Sequence, residues 1–196
     1  MTGRPSRLVL ALFLLPQLAL ARHKAPPTYA IPIPGPPNFS PLAWLVGRWR
    51  GQITGPGQRG QLRWTVQYGA GRRVIVLRER LSLQAARTAP ATQRSWLGIL
   101  MEPRARPPYV LRVFTSTGFL IRYTVMAEGP EIRFNFSGGD PAPAGWLFRR
   151  SIQRTGEAAF VETVQVAPPG HPFFDYYKAQ FTRLPSSRPA TAPSSP

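Results

Sequence analysis

From Gly47 to Leu184 the chain alternates apolar and polar residues in short runs, and this period of two constrains the fold most. Successive side chains of a strand point to opposite faces, so each run reads as a strand with one buried face. Trp49, Gly51 and Ile53 alternate with Arg48, Arg50 and Gln52, and Leu62, Trp64, Val66 and Tyr68 with Gln61, Arg63, Thr65 and Gln67. Further runs fall at 74–83, 95–101, 109–115, 119–126, 131–137, 145–154, 158–166 and 174–184. About ten short strands at a spacing near ten residues, with no helix-length period between them, predict an all-β fold. Neighbours joined by short turns such as Glu128-Gly129 make it an antiparallel up-and-down barrel or sandwich.

One short helix is expected before the first strand. Ser40 suits the capping position, Pro41 the first helical position, and Leu42, Leu45 and Val46 share an apolar face. Gly47 is expected to stop it, because a residue without Cβ takes the left-handed conformation. Parity also proposes two registers. A two-residue turn at Ala70-Gly71 pairs Val66 with Ile75 and Leu62 with Glu79. A turn centred on Gly156 sets Phe148 opposite Val164, Arg150 opposite Glu162 and Ile152 opposite Phe160. That places two charges on the apolar side.

The ends read differently. Arg4 and Arg7 precede the apolar run Leu8–Leu20, and Ala19-Leu20-Ala21 is a small-x-small site, so residues 1–21 read as a signal peptide cleaved before Arg22. A retained anchor is the alternative, but the run is short for a span and Pro16 interrupts it. A periplasmic or secreted protein without a transmembrane span in the mature chain is expected. Residues 22–39 hold six prolines and read as a linker, and 185–196, rich in Ser, Pro, Ala and Thr, as a disordered tail. The domain is 40–184.

Charge sets the class of partner. The chain carries 25 basic and 8 acidic residues, a formal +17, which favours an anionic envelope polymer or lipid. Lys24 and Lys178 are the only lysines, and the arginines are spread without a run of five. Arginine, alanine and proline bias together fits a GC-rich genome better than a designed binding face, and no aromatic-interleaved RNA-binding motif occurs, so no specific nucleic acid is expected. Cysteine is absent, which excludes disulfides and thiol catalysis.

The opening Leu-Ala-Trp-Leu-Val-Gly-Arg-Trp-Arg-Gly (42–51) resembles the Leu-x-Gly-x-Trp-x-Gly start of calycin-type barrels. These include the lipocalins, the fatty-acid-binding proteins and the nitrobindin-like haem barrels. The likeness is nearest to bacterial domains of unknown function in that superfamily. Ser95-Trp96-Leu97-Gly98-Ile99 resembles their middle strand, and Tyr177–Arg183 their closing strand. The resemblance implies that Trp49 packs under Arg183 at one barrel end, where a guanidinium covers an indole while staying partly wet. It also implies a cavity for a small hydrophobic or amphiphilic ligand.

Alternation then supplies the candidate lining. It comprises Trp64, Val66, Ile75 and Leu77 early in the chain, and Tyr123, Phe134, Phe136, Trp146, Phe148, Phe160 and Phe181 later. For any one of them, ordinary core packing is the preferred explanation, and the set of large aromatics on one face is more informative. Arg150, Glu162 and Glu79 discriminate better, since each carries a large desolvation cost if buried alone. Either Arg150 and Glu162 neutralise one another, or Arg150 anchors a ligand carboxylate or phosphate.

Other chemistry lacks its parts. Haem in a nitrobindin-like barrel needs a histidine near the closing strands. His23 falls in the linker, His171 in the turn Pro168–Pro172, and neither has a ligand motif, so no cofactor is expected. Two histidines without cysteine supply no metal cluster, and no nucleophile elbow or phosphate loop occurs. An isomerase-like enzyme would need Glu79 and Glu162 facing inward together. The leading reading is an exported lipocalin-like protein holding a small hydrophobic or amphiphilic ligand in its barrel, with an envelope scaffold as the alternative, and the interior separates them. A pocket of several hundred Å³ favours a lipocalin-like binding protein. A filled barrel with clustered outer arginines favours a scaffold that contacts anionic polymer or lipid.

Overall fold

The computed structural model describes residues 35–185 except 56–57, 86–89, 103–107 and 141–144. The expected signal peptide, most of the linker, His23 and nearly all of the tail lie outside the described residues. A 3-10 helix, Ser40–Leu45, leads into β1 (Gly47–Gly55), β2 (Gln58–Gly69), β3 (Val74–Leu83), β4 (Thr92–Met101) and β5 (Tyr109–Thr115). There follow β6 (Leu120–Glu128), β7 (Glu131–Gly139), β8 (Leu147–Gly156), β9 (Ala159–Ala167) and β10 (Phe174–Arg183). Each strand pairs antiparallel with its chain neighbours, and β1 closes on β10 to complete the barrel. The expected all-β barrel, with one short helix before it, is what the chain forms.

Alternation decides what the barrel encloses. Trp49, Leu62, Trp64, Phe160 and Phe181 point inward and are almost wholly buried. Phe160 stacks on Phe181 with ring centroids 4.4 Å apart, and Trp49 and Trp64 close on this pair at 4.8 and 4.7 Å. Gly51 makes the room: a Cβ there would stand 2.7 Å from the Phe181 ring. One end of the barrel is plugged by the 3-10 helix, whose Leu42 and Leu45 join the core while Phe39 stacks on Tyr109.

Three local expectations are corrected. Phe39, not Ser40, precedes the helix, and no side chain caps it; Asn38 Oδ1 instead accepts from the Ser40 amide and hydroxyl. The helix gives way at Val46, already extended, and Gly47 serves the first strand, where a Cβ would collide with the Arg183 guanidinium. Both parity registers are displaced by two residues. Val66 faces Leu77 and Leu62 faces Leu81, because the turn takes four residues, 70–73, with Ala70, Gly71 and Arg72 at positive φ. Phe148 faces Val166, Arg150 faces Val164 and Ile152 faces Glu162, with an irregularity between Arg154 and Gly156. Parity fixes which face a residue takes and leaves the register undefined by steps of two.

Candidate functional site

Three inward positions on three strands bring charge into the barrel: Glu79 from β3, Arg150 from β8 and Glu162 from β9. Glu162 is fully buried and Glu79 is 4% exposed. Arg150 Nε donates to Glu162 Oε1, and Arg150 Nη2 donates to Glu79 Oε2 at 2.9 Å. Diagonal reach across the β8–β9 ladder makes the first bond, since Arg150 sits opposite Val164. The guanidinium lies over Trp64 and Phe134, at 5.0 and 5.2 Å from the ring centroids. Tyr177 OH reaches Glu162 Oε2 at 3.5 Å.

The electrostatics follow from one cation between two acids. Burial pushes the Glu162 carboxyl up to about 7; Arg150 opposes the rise and Glu79 adds to it. Burial works against charge on Arg150, but Glu162 and Glu79 outweigh it and hold the guanidinium protonated well above its ordinary range. Burial, then the Glu162 carboxylate, raises the Tyr177 phenol well above its usual value, and burial also raises Tyr123. Arg150 thus commits its Nε and one Nη2 hydrogen to the protein's own carboxylates. Turning these two bonds to an anionic guest would strand a buried acid, at a cost of about 3–5 kcal/mol.

Beside this cluster, toward the helix, lies a cavity of about 30 Å³ with a wholly apolar lining that includes Leu42, Leu45, Trp64, Leu111 and Phe134. It has room for about one water and offers it no partner. Pockets for drug-sized molecules run to about 300–1,000 Å³. Among the described residues, the space beside the cluster is too small for such a molecule.

The expected lining residues separate accordingly. Trp64, Phe134, Phe160, Glu162 and Phe181 are brought together in the interior with Arg150. Tyr123 meets Phe134 edge-on, and Phe148 is half-buried. Phe136 and Trp146 are instead 44% and 37% exposed at the end away from the helix, Trp146 lying before β8 begins. His171 is exposed in its turn, its amide bonded to Pro168 O. Trp49 and Arg183 pair across the β1–β10 seam, the guanidinium 4.2 Å from the indole centroid. Glu79 was legible by parity, and Tyr177 was too, since it alternates in step with Ala179 and Phe181; no motif singled it out.

The outside holds a second constellation. The outward residues of β1, β2 and β3 include no carboxylate. Arg50 pairs with Arg63, and Arg63 with Arg80, so three exposed arginines stand in one row across three strands. Arg48 and Arg78 flank Thr65 in the next row. Neighbouring strands lie about 4.8 Å apart and same-face residues about 7 Å apart along a strand, so the wall is a lattice of positive charge. Arg50 Nη2 donates to Gln61 Oε1 at 3.3 Å, and no ion pair seen among the described residues reaches Arg50, Arg63 or Arg80. At the edge of this wall, by the β1–β2 hairpin, is a polar hollow of about 580 Å³ lined by Thr54, Arg59, Gln61 and Gln84 among others.

No family model and no curated protein matches the chain. Among solved structures, the crystal structure of Rv2717c from M. tuberculosis is similar over 75% of this chain and 97% of its own, at 18% identity and a TM-score of 0.54. The S-type phycobiliprotein lyase CPES from Guillardia theta is similar over 74% of this chain and 91% of its own, at 9% identity and a TM-score of 0.49. The likeness to Rv2717c reaches the fold and no further, and it fits the lipocalin-like, calycin type of barrel that the opening motif resembles.

Proposed function

We propose that this is an exported binding barrel that works from its outside, docking an anionic polymer with repeating phosphate or carboxylate groups on the β1–β3 wall. The Arg50–Arg63–Arg80 row carries this reading. Like charges directly opposite on adjacent strands are destabilising, each pair by roughly 0.2–1 kcal/mol. A row of them without a carboxylate weakens the free barrel and suits a surface that is neutralised when occupied. The small cavity beside Arg150 supports the same choice over a guest held there. Export is supported by the sequence alone, through Arg4, Arg7 and the apolar run Leu8–Leu20.

The test is titration with long-chain inorganic polyphosphate at low salt. Replacing Arg50, Arg63 and Arg80 together by Gln is expected to weaken binding at least tenfold and to leave the melting temperature unchanged or higher. An equal loss of charge at Arg72, Arg112 and Arg122 is expected to weaken it far less. Equal losses in the two triple variants would show a diffuse field instead of a site and would sink the proposal. Vesicles of phosphatidylglycerol that compete equally well, and lose binding with the same triple variant, would assign the wall to lipid headgroups instead.

A further inference from the structure

The large hydrophobic side chains most exposed among the described residues gather at the barrel end away from the helix. Phe114 closes β5, Phe119 sits in the turn to β6, Phe136 lies near the end of β7, Leu147 opens β8 and Phe174 opens β10. They are 44–59% exposed, and Trp146 and Tyr176 stand beside them. Half-exposed side chains of this size sum to on the order of 600 Å² of apolar surface, and apolar patches of several hundred Å² on a monomer are often functional.

Charge divides along the same axis. Of the eight acids, Glu79 and Glu162 are inside, and Glu102, Glu128, Glu131 and Glu157 lie at the helix end. Asp140 and Asp175 remain at the rim, and both are engaged. Asp140 Oδ2 accepts from the Leu120 amide at 2.6 Å, and Asp175 pairs with Lys178 at 2.7 Å and Gln165 at 2.8 Å. Arg59, Arg94, Arg122 and Arg149 stand among the same strand ends, Arg149 over the Phe173 ring at 3.9 Å.

We infer that this aromatic, basic rim is a docking surface for an anionic lipid bilayer, with Phe119, Trp146 and Leu147 entering the acyl boundary. Apolar and aromatic side chains with arginines behind them match an interface where hydrocarbon meets negatively charged headgroups. A soluble polymer would leave the apolar part unused. The rim meets the edge of the arginine wall at Arg59, but the side chains assigned to the bilayer, Phe119, Trp146 and Leu147, lie by β5–β8, across the barrel from β1–β3.

The experiment mixes the full chain with vesicles of phosphatidylglycerol and phosphatidylcholine carrying brominated acyl chains. Trp146 quenching is read as the difference between the native chain and Trp146→Phe, so a tether through residues 8–20 alone does not produce the signal. Quenching is expected with the mixed vesicles, several-fold less with phosphatidylcholine alone, and lost in Phe119→Ser/Leu147→Ser. The Arg50/Arg63/Arg80 triple variant should quench as the native chain does, which separates this outcome from failure of the polymer reading. No quenching, quenching that survives Phe119→Ser/Leu147→Ser, or a concentration-dependent dimer that those substitutions abolish would each overturn it.

Discussion

At the scale of single residues, Glu162 is the most informative side chain, because its environment makes the fold sensitive to pH. Folded, it keeps its proton up to about pH 7; unfolded, it releases it near 4.5. Between those values the folded state binds more protons, so stability falls as pH rises. The contribution is fully present below about 4.5, lost progressively up to about 7, and amounts to about 3 kcal/mol. Glu162→Gln fixes the neutral form, keeping an acceptor for Arg150 Nε and leaving Glu79 as its counter-ion. Thermal unfolding from pH 5 to 8 should show the native melting temperature dropping and the variant's dropping much less. Parallel curves would mean that another group holds the proton. That Arg150 and Glu162 would meet inside was visible from alternation. That Glu79 would take the second fork of Arg150 depended on closure between β3 and β8, which no local pattern encodes.

At the scale of elements, the seam between the helix and the closing strand does the most per residue. A helix of this length leaves its last carbonyls without partners. Here side chains supply them: Arg183 Nη2 donates to Trp44 O, Arg183 Nη1 to Val46 O at 2.7 Å, and Trp49 Nε1 to Leu45 O at 2.7 Å. Gly47 makes that approach possible, with φ at 145° and the guanidinium where a Cβ would stand. Gly47→Ala should therefore lower stability by about 1–3 kcal/mol in urea unfolding. Gly71→Ala, at φ 62° with open space around it, should cost less. Equal losses would show that only backbone strain matters at Gly47. The ten strands and this seam were legible because period two and a short motif are local signals. Helix type, caps and registers were not, since they depend on turn lengths and on what the barrel end presses against the chain.

At the scale of the whole molecule, the two proposed surfaces obey different physics, and salt separates them. The wall binds through charge alone, so each arginine that neutralises a phosphate releases a counter-ion and steepens the dependence on ionic strength. Five such contacts imply a loss of polymer affinity of roughly a hundredfold between 50 and 200 mM salt. The rim binds partly through apolar area, which screening does not weaken, and only its arginine share is lost as the Debye length shrinks to about 3 Å at 1 M. Vesicle binding should thus decline with salt to the level seen on phosphatidylcholine and then stop declining, while polyphosphate binding continues toward zero. Both curves measured on the same preparation by titration and by vesicle flotation decide this. Should vesicle binding vanish with the polymer's slope, the exposed aromatics contribute nothing, and one electrostatic surface accounts for both partners.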